Sequence, residues 1–102
     1  MSYRVVYTDP VIADIKAKVD HLREQHVSEQ TIEHWFTGLF DRIRDLYDMP
    51  RMYGLDHAAT RRNGFEVHKL TYKQHTVQYR VFDDPDIVLV LAFMHGSKRK
   101  EA

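Results

Sequence analysis

Cysteine is absent from the sequence, which excludes disulfide bonds and thiolate metal sites. Glycine and proline are scarce, with four and three residues in a chain of 102, so little of the sequence is reserved for turns and linkers. The longest apolar run, Ile87 to Met94, has eight residues, whereas a helix needs about 20 to cross a bilayer. The first residues also lack the apolar core of a signal peptide. We therefore expect one soluble, cytoplasmic domain over residues 1–102, with no membrane partner.

The chain has no net charge, but its charges are unevenly spread. Residues 1–50 hold 6 Lys or Arg and 9 Asp or Glu, whereas residues 51–102 hold 9 and 6. This mild asymmetry favours the C-terminal half as the side that meets an acidic partner or a phosphate backbone. It lacks the strongly basic footprint of a dedicated nucleic-acid binder.

The first quarter of the chain predicts a short strand followed by a helix. Residues 3–7 are rich in β-branched and aromatic side chains, which is typical of strands. Asp9 can cap the next helix, because Pro10 at the first helical position loses no hydrogen bond there. Apolar residues at intervals of three and four then predict one buried stripe: Ile12, Ile15, Val19 and Leu22.

A second helix is indicated between Ser28, a favourable N-cap, and Pro50, which ends it. Only a few residues separate the two helices, so they should form an antiparallel hairpin whose apolar stripes share one sheet. The stripe of the second helix spans sixteen residues: Ile32, Trp35, Phe36, Leu39, Phe40, Ile43, Leu46 and Tyr47.

The last third of the chain predicts three consecutive strands joined by tight turns. A turn at residues 73–74 would pair Leu70 with Val77 and Tyr72 with His75, a sensible apolar set. The final strand is apolar on both faces, as expected of a strand that is covered by helices or by a partner.

Continued back to the start of the second strand, the register of the residue 73–74 turn puts Glu66 on the core face. A slip of one residue would correct that, so we expect a bulge near residues 68–69. Residues 51–63 lack clear periodicity and are expected to form loop or turn, in which Ala58 and Ala59 could allow one helical turn. The predicted class is α+β: an N-terminal strand and an antiparallel helix hairpin packed on a mainly antiparallel four-stranded sheet, in the order β-α-α-β-β-β.

Polar and cationic side chains are expected on the sheet face opposite the helices. Such a face could bind a phosphodiester backbone or an acidic peptide, or stabilise the charge on a scissile phosphate. It could also be a solvated face with an ion pair between Glu66 and Arg80. The residues predicted on it or near its end are Lys69, Thr71, Thr76, Gln78, Arg80, His95, Lys98 and Arg99.

His95 is the strongest candidate for proton transfer, because it stands at the end of a strand and precedes Gly96. It could equally donate a hydrogen bond to a backbone carbonyl and do nothing more. The other histidines do not suggest a metal site, since His21 and His26 are five residues apart and therefore on different helix faces. No metal and no cofactor are predicted.

Several segments, in their order and spacing, resemble the RelE/ParE superfamily of bacterial type II toxins. The similarity spans roughly residues 3–99. The segments that carry it are Tyr7-Thr8-Asp9-Pro10, the helix from Trp35 to Pro50, Gly64-Phe65-Glu66-Val67-His68-Lys69-Leu70, Val77-Gln78-Tyr79-Arg80-Val81 and Met94-His95-Gly96-Ser97-Lys98-Arg99.

The resemblance implies a growth-inhibiting, plasmid-stabilising toxin that is encoded beside an antitoxin. The antitoxin would neutralise it by laying helical or extended segments across its surface, and operator DNA would be bound only through the antitoxin. RelE-like members cut mRNA in the ribosomal A site, and ParE-like members poison DNA gyrase. The resemblance leaves a homodimer as one possible oligomeric state.

We favour the ParE-like activity, because Thr76 stands where the ribonuclease branch has an arginine at the start of the third strand. The alternatives are a ribosome-dependent mRNA endoribonuclease, with His95, Arg80 and Lys69 as catalytic residues, and a non-toxic interaction partner with the toxin fold. The residues expected to bind the target or the antitoxin are Lys69, Gln78, Arg80, His95, Lys98 and Arg99.

Overall fold

The computed structural model describes residues 2–95, which form two layers, a helix hairpin on a four-stranded sheet. The strand order is β1-β4-β3-β2, with β1 parallel to β4 and the other neighbours antiparallel. This confirms the predicted α+β class. No helix within the described range is both long and apolar enough to cross a membrane. The elements are β1 Arg4–Tyr7, α1 Asp9–Glu24, α2 Glu29–Arg44, a 3-10 turn Asp45–Tyr47, α3 His57–Asn63, β2 His68–Tyr72, β3 His75–Asp83 and β4 Asp86–His95.

The sequence predicts Asp9 as the N-cap of the first helix. In the structure the N-cap of α1 is Thr8, so the helix begins one residue earlier than predicted. The Thr8 hydroxyl caps no helical amide and instead donates to the Val90 carbonyl of β4 at 3.1 Å. Asp9 lies inside the first turn, where its charge is favourable at the positive end of the helix dipole. The start of α1 is therefore set by its attachment to the sheet.

The buried face of α1 is rotated relative to the predicted stripe. Val11 and Ile15 are buried in the core, and Val19 and Leu22 pack against it. Ile12, predicted to be buried, is 53% exposed. The predicted stripe was wrong at this position, which leaves an apolar side chain on the outer surface of the hairpin.

Helix α2 follows the prediction more closely. Ser28 is its N-cap, and the Ser28 hydroxyl accepts a hydrogen bond from the Thr31 amide at 3.1 Å. Phe36 and Tyr47 nevertheless depart from the predicted stripe, since they are 42% and 43% exposed. The buried residues of α2 and the following turn are Ile32, Trp35, Leu39, Ile43 and Leu46.

The β2–β3 hairpin has the predicted register, with Leu70 opposite Val77 and Tyr72 opposite His75. The bulge expected near residues 68–69 was wrong, because the pairing is regular throughout β2. The chain leaves the sheet before β2 begins, so Glu66 is exposed without any slip of register. The irregularity lies instead between β3 and β4, where the register shifts between residues 78 and 79.

The region without periodicity covers the outer edge of β2. The Lys69 amide donates to the Gly54 carbonyl at 3.0 Å, and the Asp56 amide donates to the Val67 carbonyl at 2.8 Å. The same region contains α3, which Asp56 caps through the Ala59 amide. An uncovered strand edge invites pairing with another chain, and these bonds protect this one.

Candidate partner-binding surfaces

Three of the predicted binding residues share the sheet face opposite the helices. Lys69 is paired with Gln78 across β2 and β3, and Arg80 follows Gln78 by two residues on the same face. Gln78 donates a hydrogen bond from Nε2 to Oδ2 of Asp56 at 2.9 Å. Its side-chain amide is therefore fixed to the cap of α3. Lys69, Gln78 and Arg80 form what we call the outer sheet cluster.

Arg80 does not form the ion pair with Glu66 that the sequence suggested. Its guanidinium contacts two aromatic rings, 4.0 Å from the ring centroid of Phe65 and 4.6 Å from that of Phe82. Such cation–π contacts hold the guanidinium plane and leave its edges available for hydrogen bonds. The sequence showed that Arg80 and Phe82 share a face, but gave no signal that Phe65 would fold over them.

The structure places His95 on the other face of the sheet. His95 pairs with His75, and the two rings meet edge to face with centroids 5.2 Å apart. His75 in turn contacts Trp35 of α2, so this pair lies on the side of the helices. The expectation that His95 lies near Lys69 and Arg80 was therefore wrong.

A β-bulge explains the position of His95. From residue 79 to residue 83 of β3 the register is regular, and continued unchanged it would put His95 on the outer face. Leu91 is an extra residue between Val90, opposite Tyr79, and Ala92, opposite Gln78. One extra residue moves every later side chain of β4 to the opposite face.

Thr76 is buried, with 1% of its surface exposed, although it was predicted on the open face. It is paired with Met94 of β4 and Thr71 of β2. The start of β3 therefore has Thr76 in place of a cation, as the sequence shows. The position of Thr76 is also closed to solvent. Lys98 and Arg99, the last two predicted binding residues, lie outside the described residues 2–95.

His75 is a buried polar residue that the sequence prediction treated only as a hairpin partner. It is 5% exposed, stacks on Phe93 with centroids 5.0 Å apart, and has no hydrogen-bond partner for Nδ1 within the described chain. Burial lowers the pKa of His75 to about 4, with smaller contributions from the positive charges of Lys18 and His95. His75 is therefore neutral at physiological pH.

A groove of about 840 Å³ lies between α1 and α2. Ile12 and Phe36 line it, and within residues 2–95 these are two of the five large apolar side chains with high exposure. A salt bridge between Arg23 and Glu29 at 3.0 Å joins the two helices beside it. We call this the hairpin groove, and its main apolar lining residues are Ile12, Ile15, Val19, Ile32, Phe36 and Phe40.

The hairpin groove follows from the width of the two apolar stripes. A helix that packs on one sheet needs a single apolar face, and the stripe of α2 is wider than one contact can cover. The rings of Phe36 and Phe40 meet at a tilt of 53°, with centroids 4.7 Å apart, at the margin of that stripe. The apolar stripe of α2 is already too wide in the sequence for one contact, and this width could have indicated the groove.

Residues 2–95 contain no group of three or more His, Asp or Glu side chains that could hold a metal ion. One charged cluster lies at the end of β3, where Arg51 binds the Asp83 carboxylate at 2.6 Å and 3.0 Å. Tyr3 also donates to Asp83 at 2.7 Å, and these bonds hold the pKa of that carboxyl below its usual range. This cluster ties β1, the segment after α2 and the end of β3 together.

Comparison with protein families gives a match over most of the chain. Residues 5–99 match the family model described as the ParE toxin of the type II toxin–antitoxin system parDE. No match is found among curated protein sequences. The matched range covers most of the chain and includes all of the described elements except Arg4, the first residue of β1.

Proposed function

Because this chain belongs to the ParE family of toxins of type II toxin–antitoxin systems, we propose that it arrests growth by binding DNA gyrase in the cytoplasm. It cuts no RNA, and a cognate antitoxin neutralises it. The observation that carries this proposal is the separation of His95 from the outer sheet cluster. A toxin that acts by binding needs no acid, base or cation assembled around one reacting bond.

RNA cleavage has a stricter geometric requirement. A general acid or base must reach the same phosphate as the cations that stabilise its developing charge. His95 lies on the helix side of the sheet, whereas Lys69 and Arg80 lie on the opposite side. Within the described chain, these three candidates therefore do not meet at one phosphate, and this supports a mechanism without bond cleavage.

The first prediction concerns the target. Induced expression without an antitoxin is expected to arrest growth, and the purified protein is expected to inhibit supercoiling by gyrase. His95→Ala is expected to weaken that inhibition by no more than the loss of one binding contact, about tenfold, and not to abolish it, since binding requires no proton transfer by His95.

Two controls decide between the alternatives. The same protein is incubated with translating ribosomes, and mRNA cleavage that His95→Ala abolishes would refute the proposed mechanism in favour of the endoribonuclease. Full growth without any arrest would refute both toxic activities and favour the non-toxic interaction partner.

The hairpin groove supports neutralisation by a helical segment of the antitoxin. An amphipathic helix can bury an apolar stripe in such a groove through residues spaced by three and four. Lys16 and Glu33 provide opposite charges on the α1 and α2 sides of the groove. A partner helix with carboxylates towards α1 and cations towards α2 would complement them.

The second prediction tests this groove. Phe36→Ser is expected to weaken binding of the antitoxin encoded beside this chain at least tenfold, because a large apolar contact is lost. Phe36 is already 42% exposed, so the variant should fold normally. Isothermal titration calorimetry measures the affinity, with Met49→Ser, which is 59% exposed and outside the groove, as the matched control. Equal affinities for the two variants would exclude the groove as the antitoxin site.

A further inference from the structure

A second, smaller cavity lies at an edge of the sheet, at a step between two strands. Strand β2 begins at His68, opposite Tyr79, whereas β3 continues to Asp83. Residues 80–83 therefore extend beyond their neighbour, and a cavity of about 230 Å³ lies beside them. It is lined by Arg51, Phe65, Glu66, His68, Arg80 and Val81.

Two of the three basic side chains in this cavity are already engaged. Arg51 makes two hydrogen bonds to the Asp83 carboxylate, and His68 contacts the Tyr53 carbonyl through Nδ1 at 3.0 Å. Arg80 makes only ring contacts within residues 2–95, and these are with Phe65 and Phe82. The guanidinium is thus held in place while its donors remain available.

This arrangement suits a planar anion. A guanidinium presents its N–H groups in a rigid fork that matches a carboxylate with two parallel hydrogen bonds. The contacts with Phe65 and Phe82 restrict the guanidinium before any ligand arrives, so less conformational entropy is lost on binding. The rings also offer apolar surface to the methylene groups next to a carboxylate.

We propose that this cavity binds the carboxylate of an Asp or Glu side chain from an extended segment of the antitoxin. A single carboxylate fits better than a nucleic-acid backbone, because Glu66 lines the same cavity and its negative charge repels a polyanion more strongly than one carboxylate. The identity of the partner rests on the proposed function, whereas the chemistry of recognition rests on Arg80 alone. An antitoxin that fills the hairpin groove would also have to reach this edge of the sheet.

The third prediction tests recognition with a defined probe. Acetyl-Leu-Glu-Leu-amide is titrated into the ¹⁵N-labelled protein, and the Arg80 Nε–Hε signal is followed by NMR. We expect saturation with a dissociation constant in about the millimolar range and at least tenfold weaker binding of the peptide with Gln in place of Glu. Equal binding of the two peptides would refute carboxylate recognition.

Variants and competing ligands complete the test. Arg80→Gln should lose the response, while Arg62→Gln, an exposed charge change in α3, should bind within about twofold of the wild type. Inorganic phosphate and a single-stranded oligonucleotide are the competing anions, and tighter binding of either would overturn the proposal. Growth arrest is measured separately, so failure of the toxin function does not alter the outcome of the peptide titration.

Discussion

At pH 4 the folded protein is expected to be about 3 kcal/mol less stable than at pH 7 because of His75 alone. The pKa of His75 is about 4 in the folded chain, against an ordinary value of 6.5. Above pH 6.5 the imidazole is neutral in both states and costs nothing. Between pH 6.5 and pH 4 the unfolded chain gains a proton that the folded chain does not, so stability falls as the pH falls.

The structural cause of this loss is the closed aromatic environment of His75. Its ring stacks on Phe93 and meets Trp35 edge to face at 5.6 Å, and no described group accepts a hydrogen bond from Nδ1. Lys18 and His95 contribute positive charge nearby. A charged imidazole would therefore lose its hydration without gaining a partner.

Urea denaturation at a series of pH values measures this effect. His75→Phe keeps a ring of similar size and should remove most of the slope between pH 6.5 and pH 4, whereas the exposed His34→Gln should keep it. NMR titration of the His75 ring in the wild type gives a second readout that does not depend on a variant. A His75 pKa near 6.5, or an unchanged slope in His75→Phe, would contradict the prediction.

Local signals in the sequence were sufficient for much of the fold. Ser28 caps α2 because its hydroxyl can reach the Thr31 amide within a single turn. The two-residue turn after Tyr72 likewise fixes the register of the β2–β3 hairpin, since the pairs Leu70–Val77 and Tyr72–His75 follow from it. Each of these features depends on residues that are close together in the chain.

The rotation of α1 could not be read in the same way. Val11 and Ile12 are adjacent apolar residues, and either one completes a stripe with Ile15 and Leu22. The choice is made by a tertiary contact, in which the Thr8 hydroxyl binds the Val90 carbonyl and fixes the start of the helix. Ile12 is consequently left in the hairpin groove, which became a candidate binding surface only in the structure.

The candidate site was predicted only in part, because the position of one of its residues depends on a structural feature that the sequence does not indicate. Lys69, Gln78 and Arg80 share a face because their positions follow from the hairpin register. The position of His95 depends on the extra residue Leu91 in β4, a strand whose two faces are both apolar and which therefore gives no alternation to read. The roles of Lys69, Gln78, Arg80 and His95 in binding remain predictions. The peptide titration followed at Arg80 tests the role of Arg80.

Gly38→Ala is expected to destabilise the protein by about 2 kcal/mol, although helix propensity alone favours alanine by about 1 kcal/mol. A Cβ atom at residue 38 would collide with the hydroxyl of Tyr72 and would lie 3.2 Å from its Cζ. Tyr72 cannot easily move, because it is buried and its hydroxyl donates to the Trp35 carbonyl at 2.8 Å. The variant must either strain the α2–β2 contact or break that hydrogen bond, which itself contributes about 1 kcal/mol.

A double-mutant cycle with Tyr72→Phe separates the collision from any general effect on α2. Tyr72→Phe removes the oxygen that the new methyl group meets, so Gly38→Ala should become nearly neutral or stabilising in that background. Thr37→Ala, on the exposed side of the same helix, is the control for propensity. Thermal unfolding should show a decrease in Tm on the order of 10 °C for Gly38→Ala alone. An equal loss in the Tyr72→Phe background would show that the hydroxyl is not the reason for glycine at this position.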